Sequence, residues 1–416
     1  MPIAAGSHPL SHTTSAPLPS PPSSADSQAG AQTTAPAGTI QVQLTRCPEL
    51  AELAGDWLAL EAASEASFFT SWSWIGSWLA CLPPGQAPEL LSARSNGELV
   101  GMALLGRHRA RRHGFVNSRG LHLNASGDPV ADAIAIEYNG FLVASGNPAP
   151  VQQAMLDHIV SARSDWDELY LPGLSEAPVG IDQVRGTNYR VEHKPVFLVD
   201  LERVREKSGD YPAVLSQQSR YQVRKSEKAC AKLGQITLDA ATDLSQALAY
   251  LDGLKALHQP YWIARGKPGA FASEFANRFH QQLVRHAWSR GEIQLLRVSL
   301  GDKVLGYLYN FVYRGHVYNY QTGIDYSLLE GSVSPGLVCH ARAVSHCAAQ
   351  GLELYDFMAG DQRYKRAMST RSSQLGWGVL QRERLRFRAE EALRKVKRRL
   401  DEHRRTRNAA ATPSAA

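Results

Sequence analysis

Twice along this chain the same order of elements is written, and that repetition limits the fold more than any other feature. In the second half, "EIQLLRVSL" turns at Gly301-Asp302 into "KVLGYLYNFVY", which turns at Arg314-Gly315 into "HVYNYQTGI". The turns are short, polar and glycine-containing, as antiparallel hairpins require. A loop "DYSLLEGSVS" leads to a helix opened by Pro335 and stopped near Gln350-Gly351. The strand "LELYDFM", a short helix from Asp361 and a last strand "LGWGVLQ" complete the unit. The first half repeats the plan: "ELLSARS" turns at Asn96-Gly97 into "ELVGMALLGRH", then "FVNSRGLHL", a further strand "AIAIEYNGFLV", a helix over 149–163 and "DELYLPG". Even a triplet recurs after the two helices, Glu168-Leu169-Tyr170 and Glu353-Leu354-Tyr355, although three residues can match by chance. The pattern predicts a duplicated α/β (α+β, mixed-sheet) domain.

With 416 residues, two such domains each have room for a core once the tails are set aside. Residues 1–38 are rich in Ser, Pro, Ala and Thr without an apolar h-region, so they read as a disordered tail rather than a secretory signal. The expected division is 39–200 for the first domain, 201–385 for the second and 386–416 for a basic helical tail. No apolar run approaches the ~20 residues of a membrane helix. The five cysteines, Cys47, Cys81, Cys230, Cys339 and Cys347, are odd in number and lack CxxC spacing. They suit reduced thiols in a cytoplasmic protein. The formal charge is +6, and Arg382–Arg407 alone carries twelve Lys/Arg against five Asp/Glu, +7, so the rest is close to −1. The basic tail is either a solvated helix or a docking element for an anionic partner such as a membrane surface. Nothing else in the chain points to specific nucleic-acid readout.

The two copies differ where chemistry would sit. "EGSVSPG" places Gly331, Ser332, Ser334 and Gly336 at a helix N-terminus, where free N–H groups and the helix dipole favour an anion. The plainer reading is a helix with Ser334 as N-cap and Pro335 at its first position. A nucleophile elbow at Ser334 is excluded, because the oxyanion N–H would come from Pro335, which has none. One metal ion cannot take Cys339 with His346, or His340 with Cys347, since residues seven apart on a helix stand about 10 Å apart. No metal site is expected. "YDFMAGDQRYK" sets Asp356 at the end of a buried strand, Asp361 as cap of the next helix, and Tyr364 and Lys365 on it. Adjacent helical residues diverge by about 100°, so Tyr364 and Lys365 are not expected to face one cleft together. Asp356 is either an acid that orients or deprotonates an amine, or a buried acid holding a backbone N–H. Lys365 is either functional or a solvated charge.

"SRYQVRKSEKA" carries Arg220, Arg224 and Lys228 as one stripe, either a solvated face or an arginine clamp for an anionic acceptor. "LHQPYWIARGKPGAF" is polar, aromatic and broken by Gly and Pro, as a substrate loop would be, with His258 and Trp262 as candidates. In the first copy, Asn124, Asp128 and Glu137 are expected to wall the acceptor cleft.

These segments together resemble the GNAT acyltransferase superfamily. The duplicated form resembles the CelD-type acetyltransferases linked to cellulose and exopolysaccharide synthesis and, more distantly, the Fem-type aminoacyltransferases. The loop before the main helix is only a loose version of the usual Gln/Arg-x-x-Gly-x-Gly/Ala pattern. The resemblance implies a degenerate first domain and a catalytic second one. It implies acetyl-CoA or another acyl-CoA bound through Gly331, Ser332, Ser334 and Gly336, Tyr364 as acid for the departing thiolate, and Lys365 as stabiliser of developing negative charge. The function it implies is acyl transfer to an amine or hydroxyl of a sugar or amino-sugar precursor, with an anionic, nucleotide-sugar-type acceptor. An aminoacyl-tRNA donor, or a non-catalytic binding protein docked on a polysaccharide synthase complex, are the alternatives.

Overall fold

The computed structural model describes residues 39–112, 114–329 and 333–395. The first half contributes β1 (Ile40–Arg46), β2 (Glu89–Ser95), β3 (Glu98–Arg112), β4 (Val116–Leu123), β5 (Leu142–Val143), β6 (Glu168–Leu174) and β7 (Thr187–Asp200). The second contributes β8 (Ile236–Ala240), β9 (Ile293–Leu300), β10 (Lys303–Tyr313), β11 (His316–Ile324), β12 (Leu354–Ala359) and β13 (Arg371–Arg382). The helices are α1 (Leu50–Ala62), α2 (Trp72–Cys81), α3 (Pro148–Ser161), α4 (Leu201–Arg205), α5 (Gln217–Ala231), α6 (Leu244–Ile263), α7 (Glu274–Ala287), α8 (Pro335–Ala349) and α9 (Arg363–Ala367).

The strands form one mixed sheet in the order β1-β2-β3-β4-β6-β13-β7-β12-β11-β10-β9-β8, with β5 on β3. The repeat is visible in it. Each half is an antiparallel meander followed by a parallel strand reached through a helix, β4 to β6 through α3 and β11 to β12 through α8. Each half then lends its last strand to the other. β7 pairs with β12, β13 pairs with β6, and β7 and β13 pair with each other along Thr187–Leu198 and Arg371–Arg382. The boundary expected at 200/201 therefore falls within one continuous sheet.

The hairpin turns follow the sequence. Asn96-Gly97 and Arg314-Gly315 have φ of 52°, 86°, 48° and 77°, the left-handed pair that a two-residue hairpin needs. The shared triplet does not mark equivalent places. Leu169 is fully buried against α3 and pairs with Leu121, whereas Tyr355, not Leu354, is fully buried against α8 and pairs with Val317. A one-residue offset turns a strand's side chains to the other face. Asp356 is thus the counterpart of Tyr170, whose ring stacks on His122 at 4.4 Å.

The stretch "AIAIEYNGFLV" is not a strand. It forms a 3₁₀ turn at Ala131–Ile134 and an irregular loop, and only Leu142–Val143 is extended. Ala135 and Tyr138 take φ of 48° and 49°, left-handed values that cost a non-glycine residue about 1–2 kcal/mol. Tertiary bonds hold the loop there: Ser67 Oγ donates to Tyr138 O (2.6 Å), Asn139 N to Gly173 O (3.0 Å), and the Tyr320 hydroxyl to Ile134 O.

An aromatic core joins the halves. Phe68, Phe69 and Trp74 from the first pack on Phe279, Tyr309 and Phe311 from the second, with Phe68 stacked on Phe311 at 4.2 Å. Buried Glu61 ties the same seam, accepting from Trp72 N at 2.6 Å and Tyr313 Oη at 2.9 Å. On the other face of the second half, α8 and α5 cover the sheet.

Residues 385–395 are helical, but the start of the basic tail is not free. Arg386 pairs with buried Asp167 at 2.5 Å, and Phe387 and Glu390 are buried, Glu390 against Arg112 at 3.1 Å. The disordered tail expected over 1–38 and the rest of the basic tail from 396 lie outside the described residues. No described helix is long and apolar enough to cross a membrane, and all five cysteines are free.

Candidate active site

β11 and β12 run parallel from His316–Tyr318 against Leu354–Asp356 and then part. The parting has a local cause. Met358 takes φ of 64°, and the pairing of β12 with β7 shifts register between Asp356 and Ala359. A cavity of about 440 Å³ opens in the splay, an ordinary size for a small-ligand site. Asn319–Thr322 form one wall and Phe357–Ala359 the other. The end of α6 brings His258, Tyr261 and Trp262, the start of α8 brings Ser334, Gly336 and His340, and α9 brings Tyr364 and Lys365. The first half reaches in with Ala135 and Glu137.

Lys365 is not a solvated charge: it is 7% exposed. Its Nζ donates to Met358 O (3.1 Å) and Ala359 O (2.9 Å), which leaves one of the three ammonium hydrogens for a further acceptor. Burial draws its pKa down, and the nearby Glu137 and Asp356 carboxyls oppose that. Glu137 grips the same strand end, accepting from Ala359 N at 2.8 Å. Burial pushes its pKa up to about 7, Asp356 adds to the rise, and the Ala359 N–H and Lys365 restrain it. A carboxyl poised there can exchange a proton near neutrality.

Tyr364 lies beside Lys365 in the cavity, against the expectation that neighbours on a helix would diverge. α9 is only five residues long, and both side chains line the cavity. The Tyr364 ring lies flat on His340, 5.2 Å between centroids and 15° between planes. Burial pushes its pKa up to about 12, so the phenol keeps its proton. Asp361 is not the cap expected; Gln362 holds that position, and the Asp361 carboxylate pairs with exposed Arg366.

Asp356 is fully buried and does not line the cavity. Its oxygens accept from Met358 N at 2.6 Å and from the Tyr138 hydroxyl, and His316 Nε2 stands 3.2 Å away. That is the second reading of this residue, a buried acid that holds a backbone N–H, here the one at the left-handed turn.

At the start of α8, Ser334 N donates to Ser226 Oγ at 3.2 Å, and the Ser334 hydroxyl makes no cap bond. A Cβ on Gly336 would meet only Tyr326 Oη, at 3.6 Å, so packing does not demand glycine there. Gly331 and Ser332 lie outside the described residues. His258 and Trp262 both line the cavity, but the His258 ring is committed. Its Nδ1 lies 3.1 Å from Thr322 O, and its Nε2 accepts from Ala270 N at 3.2 Å.

Arg220 and Arg224 do not reach the cavity. Arg220 donates to the carbonyls of Pro212 (3.2 Å), Ala213 (2.9 Å) and Leu215 (3.2 Å), closing the turn before α5. Arg224 is paired with Asp210 at 2.5 Å. Basic residues one helical turn apart gave the expected stripe, but local acceptors claim both groups. Of the expected acceptor wall only Glu137 is present. Asn124 accepts from Leu104 N (2.9 Å) and donates to Asn139 Oδ1 (2.8 Å), and Asp128 closes its own turn by accepting from Val130 N at 2.7 Å. Sequence reasoning named Glu137 but missed its poise beside Lys365, because its segment read as a strand. No group of described residues could hold a metal ion.

Residues 217–366 match the family model described as acetyltransferase (GNAT) domain. The GNAT match runs from α5 to α9 and includes both diverging strands, Tyr364 and Lys365; Glu137 lies outside it. Over 80% of this chain and 96% of the other, the structure is similar to the crystal structure of FemX, with a TM-score of 0.51 and 11% identity. It also aligns with the C-terminal domain of a putative lysylphosphatidylglycerol synthetase from Agrobacterium fabrum (TM-score 0.47, 12% identity, 80% and 92% covered). A tandem GNAT protein from the clavulanic acid biosynthesis pathway aligns with a TM-score of 0.44 at 12% identity, over 81% and 98% of the two chains. The FemX likeness shows a shared fold across both halves. No curated protein matches the chain.

Proposed function

We propose that this protein transfers an acyl group from acyl-CoA to an amine, in the splay between β11 and β12. The observation that carries the reading is the meeting of Glu137, Lys365 and Tyr364 on one cavity beside the start of α8. The match of the second half to the GNAT domain supports it. Glu137 takes a proton from the attacking nitrogen as the C–N bond forms at the thioester carbon. Lys365 points its remaining N–H at the carbonyl oxygen as a hydrogen-bond donor, steadying the negative charge that develops there until the C=O re-forms. The C–S bond breaks, and Tyr364 gives its proton to the departing sulfur. Solvent returns the proton balance between Glu137 and Tyr364.

Ser334 and Gly336 would receive the donor's phosphates at the helix start. The acceptor we favour is an amine on a sugar or amino-sugar precursor, possession of which would place the protein in polysaccharide synthesis. Arg220 and Arg224 supply no clamp for its phosphate, so recognition of that acceptor falls to the cavity itself.

Calorimetric titration with acetyl-CoA tests the donor. Saturable binding by the wild type, lost in Gly336→Glu, which sets a carboxylate at the helix start, is the expected result. Failure of every CoA thioester to bind would end the reading and leave an aminoacyl-tRNA donor or a binding protein in its place.

A further inference from the structure

Helix α8 carries a polar group to the cavity that the chemistry above does not use. His340 lies four residues after Gly336, so the two share a helix face about 6 Å apart along the axis, and both line the cavity. His340 is 4% exposed, and its Nδ1 is buried without a hydrogen-bond partner among the described residues. An orphaned polar atom at this depth is costly and calls for a ligand or water to answer it. The ring is fixed flat against Tyr364 and edge-on to Phe357, at centroid distances of 5.2 and 5.3 Å. It therefore links the helix that starts at Pro335 to Tyr364, the neighbour of Lys365. Burial and the charge of Lys365 bring its pKa down to about 3, so the ring is neutral, with one N–H and one bare nitrogen.

We propose that the His340 imidazole hydrogen-bonds an amide of the donor's pantetheine arm and so sets how deep the thioester rests beside Lys365. This inference relies on the acyl-CoA reading. A donor with its phosphates at the start of α8 and its thioester at Lys365 must lay the connecting arm along the face that carries His340. That arm holds secondary amides, each both donor and acceptor, which a neutral imidazole matches from either nitrogen. His340 is thus a positioning residue that recognises the donor and moves no proton.

The test compares wild type with H340L, H340N and H340Q. In N-substituted terms, asparagine places a polar atom near Nδ1 and glutamine near Nε2. The donors are acetyl-CoA, S-acetylpantetheine, which keeps the amides without the nucleotide, and ethyl thioacetate, which has neither. H340L is expected to raise KM roughly tenfold for both amide-bearing donors. It should leave kcat within about twofold and kcat/KM for ethyl thioacetate unchanged, and one of H340N and H340Q should restore KM. An unchanged KM in H340L overturns the inference. So does an Asn and a Gln variant each as poor as H340L, which would make the ring a packing element. Should H340L fail to fold, unequal KM values for H340N and H340Q support the contact and equal values overturn it. A wild type that binds no acyl-CoA overturns both this inference and the proposed reaction, whereas binding that H340L leaves intact removes only this one.

Discussion

Replacing Glu137 by glutamine keeps an oxygen for the Ala359 N–H and removes the ionisable group. The wild-type carboxyl has a pKa of about 7 against an ordinary 4.5, which corresponds to roughly 3 kcal/mol at about 1.4 kcal/mol per pH unit. The raised value means that folding favours the neutral acid. Its contribution is complete below pH 4.5 and is lost as pH rises through 7. Glu137→Gln should therefore match wild type in stability at pH 4.5 and exceed it at pH 8 by up to about 3 kcal/mol. Lys365, left without its carboxylate neighbour, takes back part of that gain. Urea denaturation at the two pH values measures the difference. In acetyl transfer, wild-type kcat/KM should rise with pH through a midpoint near 7, and the variant should lose that limb together with about 10²–10⁴ of the rate. Parallel stability curves would show an ordinary carboxyl, and undiminished turnover would remove Glu137 from the proton path.

Tyr364→Phe retains the stack on His340, so turnover should fall by about 10² or more with Tm nearly unchanged. Lys365→Met strips the donor from the Met358 and Ala359 carbonyls and the positive charge from beside Glu137. It should cut kcat by roughly 10²–10³ and move the pH midpoint of any residual activity upward. Asp356→Ala removes the acceptor of Met358 N and the Tyr138 hydroxyl. A loss of about 3 kcal/mol in urea denaturation is expected, with Asp356→Asn losing less. Arg224→Ala breaks an exposed pair and should shift stability by less than about 1 kcal/mol, with KM for both substrates unchanged.

Much of the second half was legible because local chemistry fixes it. The hairpins over 293–324 and the helix from Pro335 were read within a residue or two, since alternation, glycine turns and a proline start act over short range. The same reasoning misread 133–143. Its apolar alternation suits a strand, but the bonds from Ser67, Tyr320 and Gly173 that bend it come from residues distant in sequence. Arg220 and Arg224 form the stripe expected of them, yet spacing along a helix says nothing of Pro212, Leu215 and Asp210, which fold back to take their donors. Lys365 and Tyr364 stand out in the sequence by their place after a buried strand and by the resemblance. That they share the cavity depends on where a five-residue helix sits over the splay.

The sequence by itself determined the repeated order of strands and helices, the turns between them and the placing of an acid in β12 with a phenol and an amine after it, because hydrophobic period and turn stereochemistry are local. Only the tertiary structure decided the exchange of β7 and β13 between the halves, the retirement of Asp356 into a buried bond and the arrival of Glu137 beside Lys365. Those outcomes depend on which distant groups compete for each hydrogen bond and on how deeply each charge is buried, and neither quantity exists until the chain has folded.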